Sequence, residues 1–398
     1  MTDKMADTGP ASEQKIATVE GQSCACSGPL KIEMKVCCPS KQQAKERPPY
    51  VTGTAQSCIG EVRRVSAVLT PSDKWGMVKC RISAYRDDYK VEPGLYAVGG
   101  PGRDSEIFVS ANYKYSFDVL RRELEGIDAW LLVLDTKGIN VWCAAGKGTF
   151  GTGELINRIS SSRLGEVAGH RRIIVPQLGA VGVNAHEVRR ATGFKVHYGP
   201  VRAADIGEYL KAGLKAGREM RTVRFNFADR LVLTPMEVLP MMKKYPVYAL
   251  AVLALFGLEP SGIIFRDALW GGLPFLLPGL AAVLSGAFLT PVLLPYVPFR
   301  SFAVKGWITG AAALYLCMRF VPWLSPARSS FHLAAACWVF FPMASSYIAL
   351  QFTGSTTFTG MTGVKKELRT AIPVYLASAV IAVFFLLLYK FGQWGIIR

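Results

Sequence analysis

The sequence predicts a Rossmann-like α/β domain followed by an all-α domain of about five membrane-spanning helices. Charge is the first observation: the chain carries 46 Lys and Arg and 29 Asp and Glu, yet residues 245–391 hold only twelve of these. Alternation is the second, because short apolar runs and amphipathic segments follow each other from about residue 100. Third, apolar runs of about 20 residues, enough to cross a bilayer's hydrocarbon core, recur after residue 245.

Residues 1–50 are polar and charged with little apolar periodicity, so we expect a disordered tail. This tail contains Cys24, Cys26, Cys37 and Cys38, for which soft-metal binding and incidental thiols are both open. The chain's nine cysteines are scattered and odd in number, which favours a reducing compartment over a disulfide framework. No charged segment followed by an apolar run opens the chain, so no cleavable signal peptide is expected.

The α/β domain is predicted over residues 51–235. Strands are expected at 106–110, 129–135, 172–176 and 194–198, and helices at 115–124, 154–164, 184–192 and 205–216. Asn184 is the expected N-cap of its helix. Alternating strands and helices with short loops indicate a parallel sheet, whose ligands bind beyond the carboxyl ends of the strands. The loops at Ser110, Thr136, Gln177 and Gly199 should therefore meet at one rim.

The transmembrane domain is predicted over residues 236–398. Spans are expected at 245–264, 272–298, 304–324, 331–352 and 371–391. Prolines interrupt the second span and Glu259-Pro260 lies in the first, so a re-entrant pair is the alternative there. Cys317 and Cys337 lie inside spans, where helix packing is a simpler interpretation than a metal relay.

Basic residues indicate the orientation of these spans. One side receives Lys243, Lys244, Arg300, Lys305, Lys365, Lys366 and Arg369, and the other receives Arg266, Arg328, Lys390 and Arg398. The positive-inside rule then predicts a multi-pass protein of the cytoplasmic membrane with its soluble domain in the cytoplasm. The net charge of +17 is attributed to lipid contact, because no Lys/Arg stripe with interleaved aromatics indicates nucleic acid.

One run, residues 140–147, combines a thiol with small residues and a cation. Cys143 follows a buried strand by a short loop and opens a helix, so the helix dipole and Lys147 should favour its thiolate. Trp142 offers a flat apolar surface. The small residues Ala144, Ala145, Gly146, Gly148 and Gly151 would let a planar ligand approach the backbone. The alternative is a buried cysteine that packs as a small hydrophobe.

Three other interpretations of the run depend on spacing. A phosphate loop fails, because Val141 stands where glycine is needed and Gly148 follows Lys147. The glycines match a bare dinucleotide pattern, but the lysine and the missing acidic partner argue against it. A Cys–His nucleophile pair stays open, with His170, His186 and His197 as the candidate histidines.

At all eight positions, residues 140–147 resemble the cap-helix signature of the mercury-methylating corrinoid proteins. Residues 109–114, 176–180 and 198–203 are similar to the corrinoid domain of the corrinoid iron–sulfur protein of the acetyl-CoA pathway, although Val181 stands where proline is expected. Residues 352–359 and 363–367 resemble the last cytoplasmic loop of the mercury-methylating family. The histidine-ligated corrinoid pattern Asp-x-His-x-x-Gly is absent.

The resemblance implies that the α/β domain binds a corrinoid, cobalamin or a related cobamide, with Cys143 as the lower axial ligand of cobalt. The residues it implies beneath the ring are Asn140, Val141, Trp142, Cys143, Ala144, Ala145, Gly146 and Lys147. Those it implies at the ring edge are Ser110, Asn112, Gln177, Gly179, Gly199, Pro200 and Arg202.

The activity implied is a methyltransferase that passes a methyl group from methyl–Co(III) to Hg(II) and forms methylmercury. A separate methyltransferase with a methylated folate is the implied methyl donor. A ferredoxin-like protein with two 4Fe–4S clusters is the implied reductant, because this chain lacks the cluster cysteines of the iron–sulfur protein. The alternatives are a membrane-bound corrinoid methyl carrier with another acceptor, and a thiol-nucleophile enzyme without cobalt.

Overall fold

The computed structural model describes residues 48–260, 262–263 and 265–396. It has an α/β sheet domain followed by a helical half, as the sequence predicts. The tail cysteines Cys24, Cys26, Cys37 and Cys38 lie outside the described residues, so their metal-binding interpretation stays a prediction.

Within the described residues, seven strands form one mixed sheet in the order β1-β2-β3-β5-β4-β6-β7. They are β1 (Val51–Ser57), β2 (Gly60–Val65), β3 (Gly94–Val98), β4 (Ile107–Ala111), β5 (Ala129–Leu134), β6 (Arg172–Val175) and β7 (Lys195–Tyr198). Strands β4 to β7 are parallel to one another, as predicted. The expectation of an all-parallel sheet is wrong beyond them, because β3 pairs antiparallel with β5 and β1 pairs antiparallel with β2.

Seven helices surround the sheet in the described part of the α/β domain. They are α1 (Pro71–Ile82), α2 (Lys114–Glu123), α3 (Val141–Lys147), α4 (Thr152–Ser161), α5 (Leu164–Val167), α6 (Ala185–Thr192) and α7 (Ile206–Lys211). The Asn184 side chain accepts from the backbone N–H groups of His186 and Glu187, which confirms the predicted N-cap. The helix expected at 154–164 is divided, because Arg163 adopts the left-handed region at φ 45°.

Both faces of the sheet are buried. On β5, Trp130 and Leu132 face one apolar cluster, whereas Leu131 and Val133 face the other. Side chains of a strand alternate between faces, so a central strand covered on both sides needs continuous apolar sequence. This requirement explains why the continuous apolar run Ala129–Leu134 predicts strand β5.

The helical half contains seven helices within the described residues. They are α8 (Phe227–Gly257), α9 (Phe265–Leu284), α10 (Thr290–Leu293), α11 (Phe302–Phe320), α12 (Ser325–Ser329), α13 (Phe331–Gln351) and α14 (Met361–Gln393). Four helical paths in this part are long and apolar enough to cross a membrane, and α11 with the bent segment after it gives a fifth. The path Ala268–Leu293, which overlaps the second predicted span, is continuous through a π-helical stretch and is long and apolar enough to cross a membrane.

The helices of this half approach closely where small residues meet. A Cβ at Gly310 of α11 would lie 2.5 Å from the Cβ of Ser345 on α13, and one at Gly306 would lie 2.5 Å from Ala349. Hydroxyl pairs add hydrogen bonds between neighbouring elements, including 2.8 Å between the Oγ atoms of Ser285, in the π-helical stretch, and Ser345 of α13. Small residues and buried hydroxyls are the usual means of joining helices in an apolar medium.

The two ends of this bundle differ. Near the α/β domain, the Glu367 carboxylate accepts from the Ser301 hydroxyl and the Ala303 backbone N–H, both at 3.1 Å. At the other end, the Lys390 ammonium lies 3.5 Å from the Glu259 carboxylate. Glu367 and Lys390 thus lie near opposite ends of the helix Met361–Gln393.

Candidate functional site

The carboxyl ends of β4, β6 and β7 and the start of α3 meet around one apolar cavity of about 200 Å³. Its lining is Phe108, Val109, Ser110, Tyr115, Ser116, Val119, Leu120, Val141, Trp142, Ile174, Pro176, Leu178, Gly199, Pro200, Val201, Ala203 and Ile206. Five of the predicted site residues are thus brought together: Ser110, Val141, Trp142, Gly199 and Pro200. A ligand site beyond the strand ends is typical of open α/β sheets.

The Asn112 side chain, predicted to lie at the ring edge, forms hydrogen bonds to the turn after β5. Its Oδ1 accepts from the Thr136 N–H and hydroxyl and from the Gly138 N–H, and its amide donates to Asp135 at 3.2 Å. These bonds hold the turn after β5, in which Lys137 adopts φ 58°. Asn112 therefore shapes the loop that leads into α3, and its side chain is fully engaged in doing so.

Cys143 lies in the first turn of helix α3. Asn140 is the N-cap, and its Oδ1 accepts from the Cys143 backbone N–H at 2.9 Å. Cys143 is half-buried and is not part of the cavity lining, whereas Val141 and Trp142 of the same turn are. Trp142 keeps 36% of its surface exposed. The cap fixes how the first turn of α3 presents its side chains at the rim.

The small residues of α3 divide into two groups. Ala144 and Ala145 are buried in the core of the α/β domain, so they pack against the sheet and do not face a ligand. A Cβ at Gly146 would meet nothing within 4 Å, and Lys147 is exposed in the last turn, one turn after Cys143. The helix ends at Gly148, whose φ of 81° favours glycine.

The loop after β6 combines a tight turn with an unsatisfied amide. A Cβ at Gly179 would lie 2.5 Å from the Phe150 ring, so the close packing of this loop needs glycine. Gln177 places its Oε1 in a buried position where it accepts no hydrogen bond. A buried acceptor without a partner is costly, so this oxygen is available to a ligand's N–H group.

The loop after β7 contributes backbone rather than charge. Gly199 and Pro200 are buried beside the cavity, and a Cβ at Gly199 would lie 2.9 Å from Ile174. Arg202 does not line the cavity. Its guanidinium lies 3.4 Å from the carboxylate of Asp229, in the first turn of α8. The rim of the sheet is therefore tied to the start of the helical half.

The histidines considered as partners of Cys143 have other surroundings. His170 Nε2 lies 3.1 Å from the Ser105 carbonyl, in the loop before β6, and His186 is in the first turn of α6. His197 lies on β7 with its Nε2 buried and unpartnered, and burial, with Lys195 and Arg172 nearby, lowers its pKa. In the described part of the chain, no hydrogen bond joins any of them to Cys143.

Sequence reasoning missed a buried charge cluster under α2. The Lys114 ammonium lies 2.6 Å from Asp73 and 2.7 Å from Asp118, and Arg121 lies 2.7 and 2.8 Å from the same two carboxylates. Burial opposes ionisation of Asp73, but Lys114 and Thr70 outweigh it and hold its pKa at about 2. The i,i+4 and i,i+3 spacings within α2 were the available signal.

The donor set at the rim fits a large cofactor better than a bare metal ion. Among the described residues, no group of three His, Cys, Asp or Glu side chains is arranged to hold a metal. What the rim offers is the single half-buried thiol of Cys143, the apolar surface of Trp142 and the unpartnered oxygen of Gln177. One soft donor beside apolar walls suits a metal that brings its own equatorial ligands.

These features define an α/β domain with a candidate ligand site at the carboxyl ends of its parallel strands. Comparison with known proteins gives the relatives of that domain. The family described as CO dehydrogenase/acetyl-CoA synthase delta subunit matches residues 70–210, from α1 to α7. That range contains the whole rim and stops before the helical half.

Individual relatives agree with this match. The acetyl-CoA decarbonylase/synthase complex subunit gamma of Archaeoglobus fulgidus is 31% identical over 139 residues, 34% of this chain and 29% of the relative. The subunit of that name in Methanopyrus kandleri is 33% identical over 140 residues, 34% and 30% of the two chains. The corrinoid/iron-sulfur protein large subunit of Moorella thermoacetica is 29% identical over 127 residues, 31% and 28%. The chain thus spans about three tenths of the length of these relatives.

Proposed function

We propose that this protein is a membrane-bound, corrinoid-dependent methyltransferase whose acceptor is Hg(II), with Cys143 as the lower axial ligand of the cofactor's cobalt. The observation that carries the proposal is the position of Cys143. It is a half-buried thiol in the capped first turn of α3, beside an apolar cavity at the carboxyl-end rim. The similarity to the CO dehydrogenase/acetyl-CoA synthase delta subunit family over residues 70–210, and to a corrinoid/iron-sulfur protein large subunit over 127 residues, supports the corrinoid part of the proposal.

The rim residues have distinct tasks in this proposal. Asn140 holds the α3 turn so that the Cys143 sulfur is offered in one direction. Trp142, Pro200 and Leu178 exclude water from the adjoining cavity, and Gln177 accepts a hydrogen bond from the cofactor's amide groups. When bound, the corrinoid supplies the cobalt centre that carries the methyl group. A thiolate donor favours release of methyl with its electron pair, which suits a soft cation such as Hg(II) as the substrate.

A thiol substitution tests the axial ligand. Full-length protein is reconstituted with a cobamide without oxygen, and its absorption spectrum is compared with those of Cys143→Ala and Cys58→Ala. Cys58 is the matched control, because it is an exposed free cysteine in the turn between β1 and β2. We expect the spectrum and methylmercury formation to change only in Cys143→Ala. An unchanged spectrum in that variant would refute the thiolate ligand.

The acceptor needs a separate test, because a corrinoid methyl carrier with another acceptor would give the same spectrum. The assay supplies Hg(II), a methyl donor such as methylated folate with its methyltransferase, and a ferredoxin-like reductant with two 4Fe–4S clusters. Methylmercury formed in proportion to the protein supports the proposed acceptor. A fully methylated cofactor that gives no methylmercury would favour the carrier.

Residence in the cytoplasmic membrane is part of the proposal, supported by the four or five long apolar helices. Orientation is tested with Cys58 as a reporter, since its thiol is exposed. A membrane-impermeant maleimide should label Cys58 in inverted vesicles and spare it in right-side-out vesicles. The opposite pattern would place the α/β domain outside the cytoplasm.

A further inference from the structure

A second cleft, of about 290 Å³, lies between the two halves of the chain. One wall is the end of α1 with the 3₁₀ turn Ala84–Asp87, and the other is the α8 segment that contains Pro235 and Leu239. Three cations, Arg81, Arg86 and Lys243, and one carboxylate, Asp87, border it, which gives a net formal charge of +2. A basic mouth with an apolar wall matches an amphiphile with an anionic head.

Aromatic side chains hold the guanidinium groups at this cleft. Arg81 donates to the Tyr115 hydroxyl and lies 4.7 Å from the centre of that ring. Arg86 lies 5.7 Å from the Tyr113 ring centre and 3.7 Å from the Met236 sulfur. Across the residues that the structure describes, no ion pair involves Arg81, Arg86 or Lys243. The guanidinium groups of Arg81 and Arg86 are therefore held in place by the rings of Tyr115 and Tyr113.

The outer side of α1 continues the cleft as an exposed apolar stripe. Trp75, Val78, Ile82 and Tyr85 are each between 41% and 57% exposed, and their spacing places them in one row. The Lys79 ammonium lies 6.0 Å from the Trp75 ring centre and 5.7 Å from that of Tyr85. Tryptophan, tyrosine and lysine around aliphatic side chains are typical of surfaces that lie in a membrane interface.

The position of Lys243 on α8 sets the depth of the cleft. Val247 and Leu250, 73% and 70% exposed, begin the apolar part of this helix, four residues after Lys243. At about 1.5 Å per residue, Lys243 lies roughly 6 Å above Val247. The polar layer on each side of a bilayer's hydrocarbon core is about 5–8 Å thick. If α8 enters the membrane at this point, the Lys243 side of the cleft lies at the level of the lipid head groups.

We propose that this cleft binds the head group of an anionic phospholipid. Its phosphate is held by Arg81, Arg86 and Lys243, and the α1 stripe lies against the same leaflet. The site goes beyond the proposed methyl transfer and rests only on the proposed membrane insertion of α8.

The test uses full-length protein in nanodiscs that contain phosphatidylcholine with a minor fraction of phosphatidylglycerol. Native mass spectrometry measures retained lipid, and a photoactivatable phosphatidylglycerol maps its position on the unsubstituted protein. The variant R81Q/R86Q/K243Q is compared with R189Q/R190Q/K195Q, which makes the same charge change on α6 and β7. With roughly 1 kcal/mol per basic residue near a charged surface, we expect the first variant alone to weaken retention about a hundredfold.

Three results would overturn the proposal. One is no preference for phosphatidylglycerol over phosphatidylcholine in the unsubstituted protein, and another is cross-linking that maps away from residues 79–90 and 235–244. The third is displacement of the lipid by inorganic phosphate alone, which would assign the cleft to a free anion. Alkaline extraction of membranes and the corrinoid spectrum are measured in parallel, so failed insertion or a failed methyltransferase assignment is recognised separately. The cross-linking on unsubstituted protein remains decisive if the triple variant does not fold.

Discussion

In the α/β domain, the buried cations Lys114 and Arg121 are paired with the carboxylates of Asp73 and Asp118, all four within a self-neutralising cluster. In the helical half, two buried cations near the α/β domain donate to backbone carbonyls instead. Arg230 donates to the carbonyls of Val292 and Phe225, and Lys305 donates to that of Leu294. The buried cations have different partners in the two halves because each half offers them different hydrogen-bond acceptors.

Two of these acceptors, the carbonyls of Val292 and Leu294, lie at the C-terminal end of α10 (Thr290–Leu293), where the last carbonyls of a helix have no partner within it. A cation at a helix C-terminus also interacts favourably with the helix dipole. Arg230 and Lys305 thus act as side-chain caps near the end of the bundle, where long side chains can reach water. In the α/β domain a cation far from water needs a carboxylate, and the cluster supplies two carboxylates for its two cations.

The largest effect should come from breaking the cluster. Arg121→Met leaves two carboxylates with one cation, and removing one partner of a buried pair costs about 3–5 kcal/mol. Urea unfolding of the full-length protein in detergent, followed by proteolysis of the α/β domain, measures the loss. Arg122→Met is the control, because its pair with Glu123 is exposed and contributes about 0–1 kcal/mol. Equal losses in the two variants would contradict the role given to the cluster.

The helical half should respond most to a change of shape. Gly310→Leu forces a side chain against Ser345 and the Pro342 backbone, and overpacking of this kind costs about 1–3 kcal/mol. Thermal unfolding in detergent gives the comparison with Ala312→Leu, which places the same leucine side chain at an exposed position of α11. A larger loss from the Ala312 change would mean that the α11–α13 contact is not the tight one.

Acid should weaken the α/β domain through Asp73. Its pKa is held at about 2, below the ordinary 3.8, so the stabilisation is complete above that ordinary value and is lost as pH falls through 4 towards 2. The difference corresponds to about 2 kcal/mol. Unfolding free energies measured across this range should fall in the unsubstituted protein and fall less in Asp73→Asn. A parallel decline in both would assign the acid sensitivity to other groups.

The smallest effect is expected at the far end of the bundle. Lys390→Met removes the partner of Glu259, but Glu259 is 28% exposed and regains water, so the loss should not exceed about 1 kcal/mol. The same unfolding assay measures it. A loss as large as that of Arg121→Met would erase the difference between the two halves.

The parts of the fold that the sequence predicts are those with a one-dimensional signal. Strand β5 is apolar throughout, and α6 begins with Asn184 and ends before Gly193, so both are readable. Strand β1 carries exposed Thr and Gln side chains at the sheet edge, so it lacks a continuous apolar run. The break at Arg163 depends on a left-handed residue that no local pattern announces.

The candidate site is predictable to a similar extent. The loops at Ser110, Gln177 and Gly199 follow strands, so their convergence follows from a parallel sheet. The engagement of Asn112 with the Thr136 turn is a contact over 24 residues of chain, and no spacing rule foretells it. The position of Tyr115 in the cavity lining is not predictable from the sequence either. The packing of distant elements decides which side of α2 faces the cavity.

The contact between Arg202 and Asp229 has a consequence for how the rim is held. Both side chains are about 40% exposed, and a pair of this kind contributes about 0–1 kcal/mol and is screened by salt. That energy is close to the thermal energy at room temperature, so the fastening between the rim and α8 opens and recloses spontaneously. Ionic strength therefore sets how often this ion pair is formed: at higher salt concentration, Arg202 and Asp229 are separated for a larger fraction of the time.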